Sequence, residues 1–238
     1  THAVNSVAHN LDTQVKGVPI VFYNASGFET TDIVSIEIEA PHFPKEVTVY
    51  DEQGKKVNSQ LVSYTDGNVQ LLVEATVPAV GYVVYDVRLA GSEKEMAITE
   101  ATNIENSFYK LMLDENGDIV SLFDKKNNKE LVKAGKAIRL ALFTENESLS
   151  WPAWEVLKKT IDRTPISITS NVKMTLCENG ELRKTLCVEK SHGGSFFRQY
   201  IHLYEGALAH RIDFINEIDW QSANSLLKAE FPFYLEIE

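Results

Sequence analysis

Residues 211–233 read RIDFINEIDWQSANSLLKAEFPF, and the reading of this stretch sets the fold class. Ile212-Asp213-Phe214-Ile215-Asn216-Glu217-Ile218 is a strand-like run that closes on Asp219-Trp220. A polar break follows, Gln221-Ser222-Ala223-Asn224-Ser225, and then a second apolar run, Leu226-Leu227-Lys228-Ala229-Glu230-Phe231, stopped by Pro232. Two β runs separated by a polar connection make an all-β module.

The pattern extends upstream. Strands are expected at residues 108–113 and 119–123, flanking the hairpin signal Asn116-Gly117, and at 137–144, 166–177, 182–190, 195–204 and 207–220. Nearer the start, residues 19–23, 33–39, 47–50, 60–64, 69–74 and 82–87 are short strand candidates with turn signals such as Asp66-Gly67 between them. Six strands in about 75 residues read as an antiparallel sandwich of immunoglobulin-like size. The polar stretch 90–95 marks the boundary, which gives a small sandwich over 18–95 and a second β unit over 96–238. Residues 1–17 carry Val4, Val7, Leu11 and Val15 at helical spacing with a stop at Gly17 and Pro19, which predicts a short N-terminal helix.

The 238 residues carry 44% hydrophobic and 24% charged side chains, a normal globular balance with enough chain for a core in each unit. A net charge of −11 argues against nucleic acid or an anionic membrane as partner, because phosphates require a basic face. No run approaches the roughly 18 apolar residues of a membrane span, and residues 1–10 show neither the basic start nor the apolar stretch of a signal peptide. A two- or three-residue Asn179-Gly180 hairpin would set Cys187 opposite residue 171 or 172, roughly 16 Å along the ladder from Cys177 at about 3.3 Å per residue. A disulfide needs Cα atoms within about 7 Å. Two free thiols are therefore expected, which favours a reducing, cytoplasmic compartment.

The search for chemistry is short. None of the 6 histidines falls in a His-x-His, His-x-Asp or His-x-x-x-His pair that would put two metal ligands on one side of a strand or helix. His192, beside Gly193-Gly194, reads as a surface hairpin turn, and His210, in the apolar run 208–214, as a hydrogen-bonded interior or a surface-facing strand histidine. No nucleophile elbow, phosphate loop or dinucleotide glycine set occurs. The expected sets of catalytic and metal-ligating residues within the chain are therefore empty. Trp151-Pro152-Ala153-Trp154-Glu155 is the exception. Two tryptophans three apart after a polar loop could offer flat faces to a sugar ring, or staple the loop to a sheet. Packing is the favoured reading, with a loss of about 3–5 kcal/mol expected for either Trp→Ala change.

Four stretches, in order, resemble the C-terminal β region of α-mannosidases of glycoside hydrolase family 38. Pro19-Ile20-Val21-Phe22-Tyr23-Asn24 with Asp32-Ile33-Val34 is similar to its "P-I-V-V-F-N-P…R-T-D-V-V" entry. Residues 116–125 with Glu130-Leu131 resemble its "N-G-x-I-x-S-L-x-D-K…E-L" hairpin, and residues 151–156 its "W-D-A-W-D-I". The closing stretch resembles "R-I-D-F…V-D-W…L-L-K-V-x-F-P". Pro152 stands where the family has its first acid, and Glu155 stands for the second.

The resemblance implies that 1–17 is the end of a helical bundle and 96–238 is part of a large antiparallel supersandwich of the galactose-mutarotase kind. It implies a parent enzyme that uses zinc and a retaining mechanism to hydrolyse terminal mannosides of glycans. The zinc and the nucleophilic Asp of such an enzyme belong to a barrel and helical domains outside this chain. The segment itself would bind no zinc and be inactive alone, brace the barrel, and lend loops to the cleft, with Trp151, Trp154 and Glu155 as the cleft candidates. The rival readings are a free-standing carbohydrate-binding module using Trp151, Trp154 and Trp220, or a structural sandwich.

Overall fold

In the computed structural model the described residues are 11–92, 98–151 and 154–234. The chain divides into two compact units, one of Thr1–Met96 with Gly180–Leu182 and Gly206–Leu208, the other of Ala97–Asn179, Arg183–Glu205 and Ala209–Glu238.

The first unit holds β1 (Val18–Asn24), β2 (Thr30–Glu39), β3 (Glu46–Tyr50), β4 (Lys56–Val57), β5 (Ser59–Thr65), β6 (Asn68–Val77) and β7 (Gly81–Ala90). They form two antiparallel sheets, β1-β7-β3-β4 and β2-β6-β5. Side chains alternate along a strand, so every second residue of β6 (Val69, Leu71, Val73, Ala75, Val77) enters one core with Val83, Tyr85 and Val87 of β7. Each such Leu or Val contributes about 1.5–3 kcal/mol of burial. Asp66 and Gly67 both take positive φ, 52° and 83°, and join Thr65 to Asn68 in the two-residue turn that the dipeptide favours.

The expected helix lies partly outside the described residues. Residues 11–17, which are described, contain no helix. The Asp12 carboxylate accepts the Gln14 N–H at 3.0 Å and the Asp86 carboxylate accepts that of Gly17 at 2.8 Å, so side chains take donors a helix would need.

The second unit holds β8 (Thr99–Glu100), β9 (Asn103–Glu105), β10 (Tyr109–Leu113), β11 (Ile119–Asp124), β12 (Lys129–Glu130) and β13 (Arg139–Phe143). A single helical turn, α1 (Lys158–Ile161), precedes β14 (Ile166–Ser167), β15 (Ser170–Asn179), β16 (Arg183–His192), β17 (Ser195–Tyr204), β18 (Ile212–Asp219) and β19 (Leu226–Glu230). Three sheets result: β12-β11-β10-β9, β14-β13-β19 and the five-stranded β18-β17-β16-β15-β8. Leu186, Val188, Ile201 and Leu203 of the five-stranded sheet share a core with Ile104, Leu111, Ile119 and Leu122 of the four-stranded one. A smaller core joins Phe197 to Leu142, Ile168 and Leu227. All-β is the architecture in both units.

Several residues of the 116–131 hairpin have a local structural use in this chain. The Ser121 hydroxyl and the Leu122 N–H both donate to Glu130, at 2.6 and 2.9 Å, and Asp124 caps the turn by accepting from Asn127. Lys125 reaches the Asn106 carbonyl at 2.6 Å. Buried Asn106 uses both ends of its amide, donating to Tyr204 and Ala209 carbonyls and accepting from Phe108 and Tyr109. These side chains pin the hairpin to its sheet rather than serving chemistry.

Two expected strands are corrected. Residues 207–220 are not one strand, because Gly206–Leu208 forms a 3-10 turn and β18 begins at Ile212. Residues 166–177 split into β14 and β15, which belong to different sheets, with the buried Ile168 between them. The two runs of the closing stretch are both strands, as expected, and they join different sheets, β18 pairing with β17 and β19 with β13.

Both cysteines are free, as expected, but not for the expected reason. Gly180 does not take the left-handed φ of a two-residue Asn-Gly turn, and the first pair of the hairpin is Asn179 with Lys184. A bulge at Cys177 then shifts the ladder so that Cys187 pairs with Thr175, not with residue 171 or 172. Burial pushes both thiols up to about 11, so both are protonated at neutral pH.

Candidate functional site

The site is built on the loop between β13 and α1, and its foundation is one buried amide. Asn146 donates its Nδ2 hydrogen to the Glu155 carbonyl at 2.9 Å and accepts the Leu157 N–H on Oδ1 at 3.0 Å. Its own N–H donates to the Asn224 carbonyl at 2.7 Å. Glu145, just before it, takes a φ of +62° and pairs with Arg163, and its carbonyl accepts from Thr160 at 3.3 Å. The chain leaves the sheet at 145, and the ends of the loop are clamped around the Asn146 side chain.

The upper part of the loop is a chain of short bonds. The Trp151 N–H donates to the Ser148 hydroxyl oxygen at 3.1 Å, and that hydroxyl donates to Glu155 Oε2 at 2.5 Å. The Trp154 and Glu155 N–H groups both turn back to the Trp151 carbonyl, at 3.0 and 2.9 Å. Glu155 is thus a brace of the loop through one carboxylate oxygen. Pro152 lies outside the described residues.

The tryptophans are not staples. Trp151 is 64% exposed and Trp154 86%, beside an exposed Leu149 and Val156. The packing reading and its large stability loss are therefore overturned, because a side chain in water has little contact to lose on truncation. A soluble surface seldom carries two indoles on one tightly bonded turn without an occupant. Trp154→Ala should leave the melting temperature nearly unchanged, within about 0.5 kcal/mol of wild type. Asn146→Ala should cost about 1–3 kcal/mol, since it strips partners from the part-buried Glu155 carbonyl and Leu157 N–H at the base of the loop. Chemical denaturation of the two variants reads the contrast directly.

A second polar group, missed by sequence reasoning, lies on the five-stranded sheet. The Thr185 hydroxyl and His202 Nδ1 lie 2.7 Å apart, both residues being buried. Tyr200 stacks on the imidazole at 6.3 Å between centroids. Burial and then the Arg183 charge push the His202 pKa down to about 4, so the ring is neutral at pH 7. Arg183 is locked in a two-pronged pair with Glu178 at 2.7 and 2.8 Å. The alternation Tyr200-x-His202-x-Tyr204, which puts all three on one side of a strand, is the signal that could have found it. His192 and Ser195 close the β16–β17 hairpin over Gly193 and Gly194, both at positive φ, so His192 is the last residue of β16 and flanks the expected hairpin turn. Among the described residues no three His, Cys, Asp or Glu side chains come together as metal ligands.

The sequence matches a known family. Residues 104–238 match the model of the glycosyl hydrolases family 38 C-terminal domain. The chain is 27% identical over 234 residues to alpha-mannosidase G of Dictyostelium discoideum, an alignment that covers 88% of this chain and 20% of that protein. It thus spans about a fifth of the length of this curated relative. The chain therefore belongs to glycosyl hydrolase family 38, carrying the C-terminal domain of that family over residues 104–238.

Proposed function

We propose that this chain is the C-terminal β region of a zinc-dependent retaining α-mannosidase that removes terminal α-mannosides from glycans. The family match over 104–238 and the relation to an alpha-mannosidase carry this reading. A retaining glycosidase needs two carboxyl groups about 5 Å apart astride the glycosidic bond, and zinc needs three or more convergent donors. The described residues do not fit a zinc ion: no ligand cluster forms, His202 is tied to Thr185, and both thiols are protonated. The metal and the nucleophile are assigned to the barrel and helical domains of the parent enzyme.

The part played by this chain is positional. It braces the barrel and presents the loop of Trp151, Trp154 and Glu155 at the edge of the cleft. An exposed indole offers a flat apolar face to the C–H side of a pyranose, and the Asn146 clamp sets its position before substrate arrives. That preorganisation spares the entropy of ordering the loop on binding. A second reading, a carbohydrate-binding module working without the enzyme, draws on the same exposure of Trp151 and Trp154.

Turnover of an aryl α-mannoside by the full-length protein tests the first reading. The expected result is hydrolysis that a chelator abolishes and zinc restores, with retained anomeric configuration by NMR, and no turnover by residues 1–238 alone. A full-length protein that binds mannosides but never cleaves them would give the second reading the field.

A further inference from the structure

We propose that the hollow beside Trp220, at the turn between β18 and β19, is a separate binding subsite for an uncharged pyranose. It is an open depression of about 450 Å³, lined by Trp220, Gln221, Ser222, Asn224 and Ser225, with Asn146 at its wall. In a chain with 23 basic and 34 acidic residues, none of the side chains lining it is charged. A neutral amide- and hydroxyl-lined hollow with an indole on one side suits a polyol ring, which has an apolar face and a rim of donors and acceptors. It offers no cation to a phosphate or carboxylate ligand.

The hollow is built in advance. The Gln221 N–H donates to the oxygen of Ser195, a residue 1% exposed, at 2.8 Å, and the Ser195 and Ser222 hydroxyls lie 2.9 Å apart. The Asn224 carbonyl is held by the Asn146 N–H at 2.7 Å, and Asn224 itself takes a φ of +47°, which asparagine tolerates better than most residues. Trp220 stands at 87° to the buried Phe197 ring and stays 38% exposed. Among the described residues the Asn224 side-chain amide has no hydrogen-bond partner, so it has both a donor and an acceptor to give. Asn146 joins the hollow to the tryptophan loop, because it bonds to Asn224 through its backbone and to Glu155 and Leu157 through its side chain.

The use of a mannoside as first probe rests on the proposed activity; the hollow itself does not. Residues 1–238 should be titrated with methyl α-mannopyranoside, methyl α-glucopyranoside and methyl β-galactopyranoside, read by saturation-transfer NMR and tryptophan fluorescence. A small, shallow site predicts a Kd on the order of millimolar for at least one of them. Asn224→Ala and Gln221→Ala, which remove no packed side chain, should each weaken binding about three- to tenfold, and Trp220→Phe more. No binding of any of the three sugars at about 100 mM would overturn the proposal. Binding lost in Trp154→Ala but unchanged in Asn224→Ala and Gln221→Ala would also overturn it, since the sugar would then sit on the tryptophan loop. Neither outcome bears on the mannosidase reading, which stands or falls on turnover by the full-length protein.

Discussion

Lys190→Ala is expected to destabilise the second unit by about 3–5 kcal/mol, the usual cost of stripping one partner from a buried ion pair. Lys190 Nζ lies 2.5 Å from Asp118 Oδ1, and both side chains are almost fully buried. Asp118 sits in the 114–118 turn of the β10–β11 hairpin, and Lys190 is on β16, so the pair ties two sheets together. Burial raises the Asp118 pKa and outweighs the pull of Lys190 and of the Arg139 charge, so losing the ammonium removes the main group that favours the carboxylate. The turn packs closely on β16: a Cβ added at Gly117 would meet Val188 at 2.5 Å. Urea unfolding of the variant tests this. The double variant Lys190→Met, Asp118→Leu should recover most of the loss, because a buried ion pair adds little over well-packed apolar groups.

The second large effect is a dependence on pH. His202 titrates at about 4 in the folded chain against 6.5 in its unperturbed state. A folded value below the unfolded one means that the unfolded chain binds the proton first. The stabilisation is therefore complete above about pH 6.5 and is lost as pH falls from there to about 4. The size is about 3 kcal/mol, at about 1.4 kcal/mol for each pH unit of separation. The groups facing the ring are Thr185, Arg183, Glu178 and Asp213; Glu178 and Asp213 favour the charged form, yet burial and Arg183 prevail. Unfolding free energies at pH 7.5, 5.5 and 4.5 should fall accordingly. In His202→Gln the slope between pH 6.5 and 4.5 should be much shallower, leaving the carboxylates to act below that range.

Much of this architecture is legible in the residue order because its signals are local. Asp66-Gly67 forms the turn its dipeptide favours, and the alternation in residues 69–77 is the buried face of β6. The Ser121–Glu130 bond gives the serine and the glutamate of that hairpin a local structural use. What failed depends on long-range partners. Gly180 follows an asparagine but does not adopt the expected turn, and a bulge at Cys177 then moves the ladder, which no local signal announces. The pairing of β19 with β13 goes with a core that joins Leu227 to Phe197, Ile168 and Leu142, residues far apart in the chain, and is equally invisible in periodicity. The tryptophan loop misled for a related reason. Indoles are buried more often than not, and only the Asn146 clamp, with partners at 155, 157 and 224, shows that the loop is held from below and needs no indole to anchor it.

The central claim is that Trp154 is exposed for contact with substrate rather than for packing, and paired measurements on one variant test it most directly. In the full-length protein, Trp154→Ala should melt within a degree or two of wild type while kcat/KM for an α-mannoside falls roughly 5- to 150-fold, equivalent to about 1–3 kcal/mol of transition-state stabilisation. An unchanged kcat/KM, or a loss of activity that merely follows a lowered melting temperature, would contradict it.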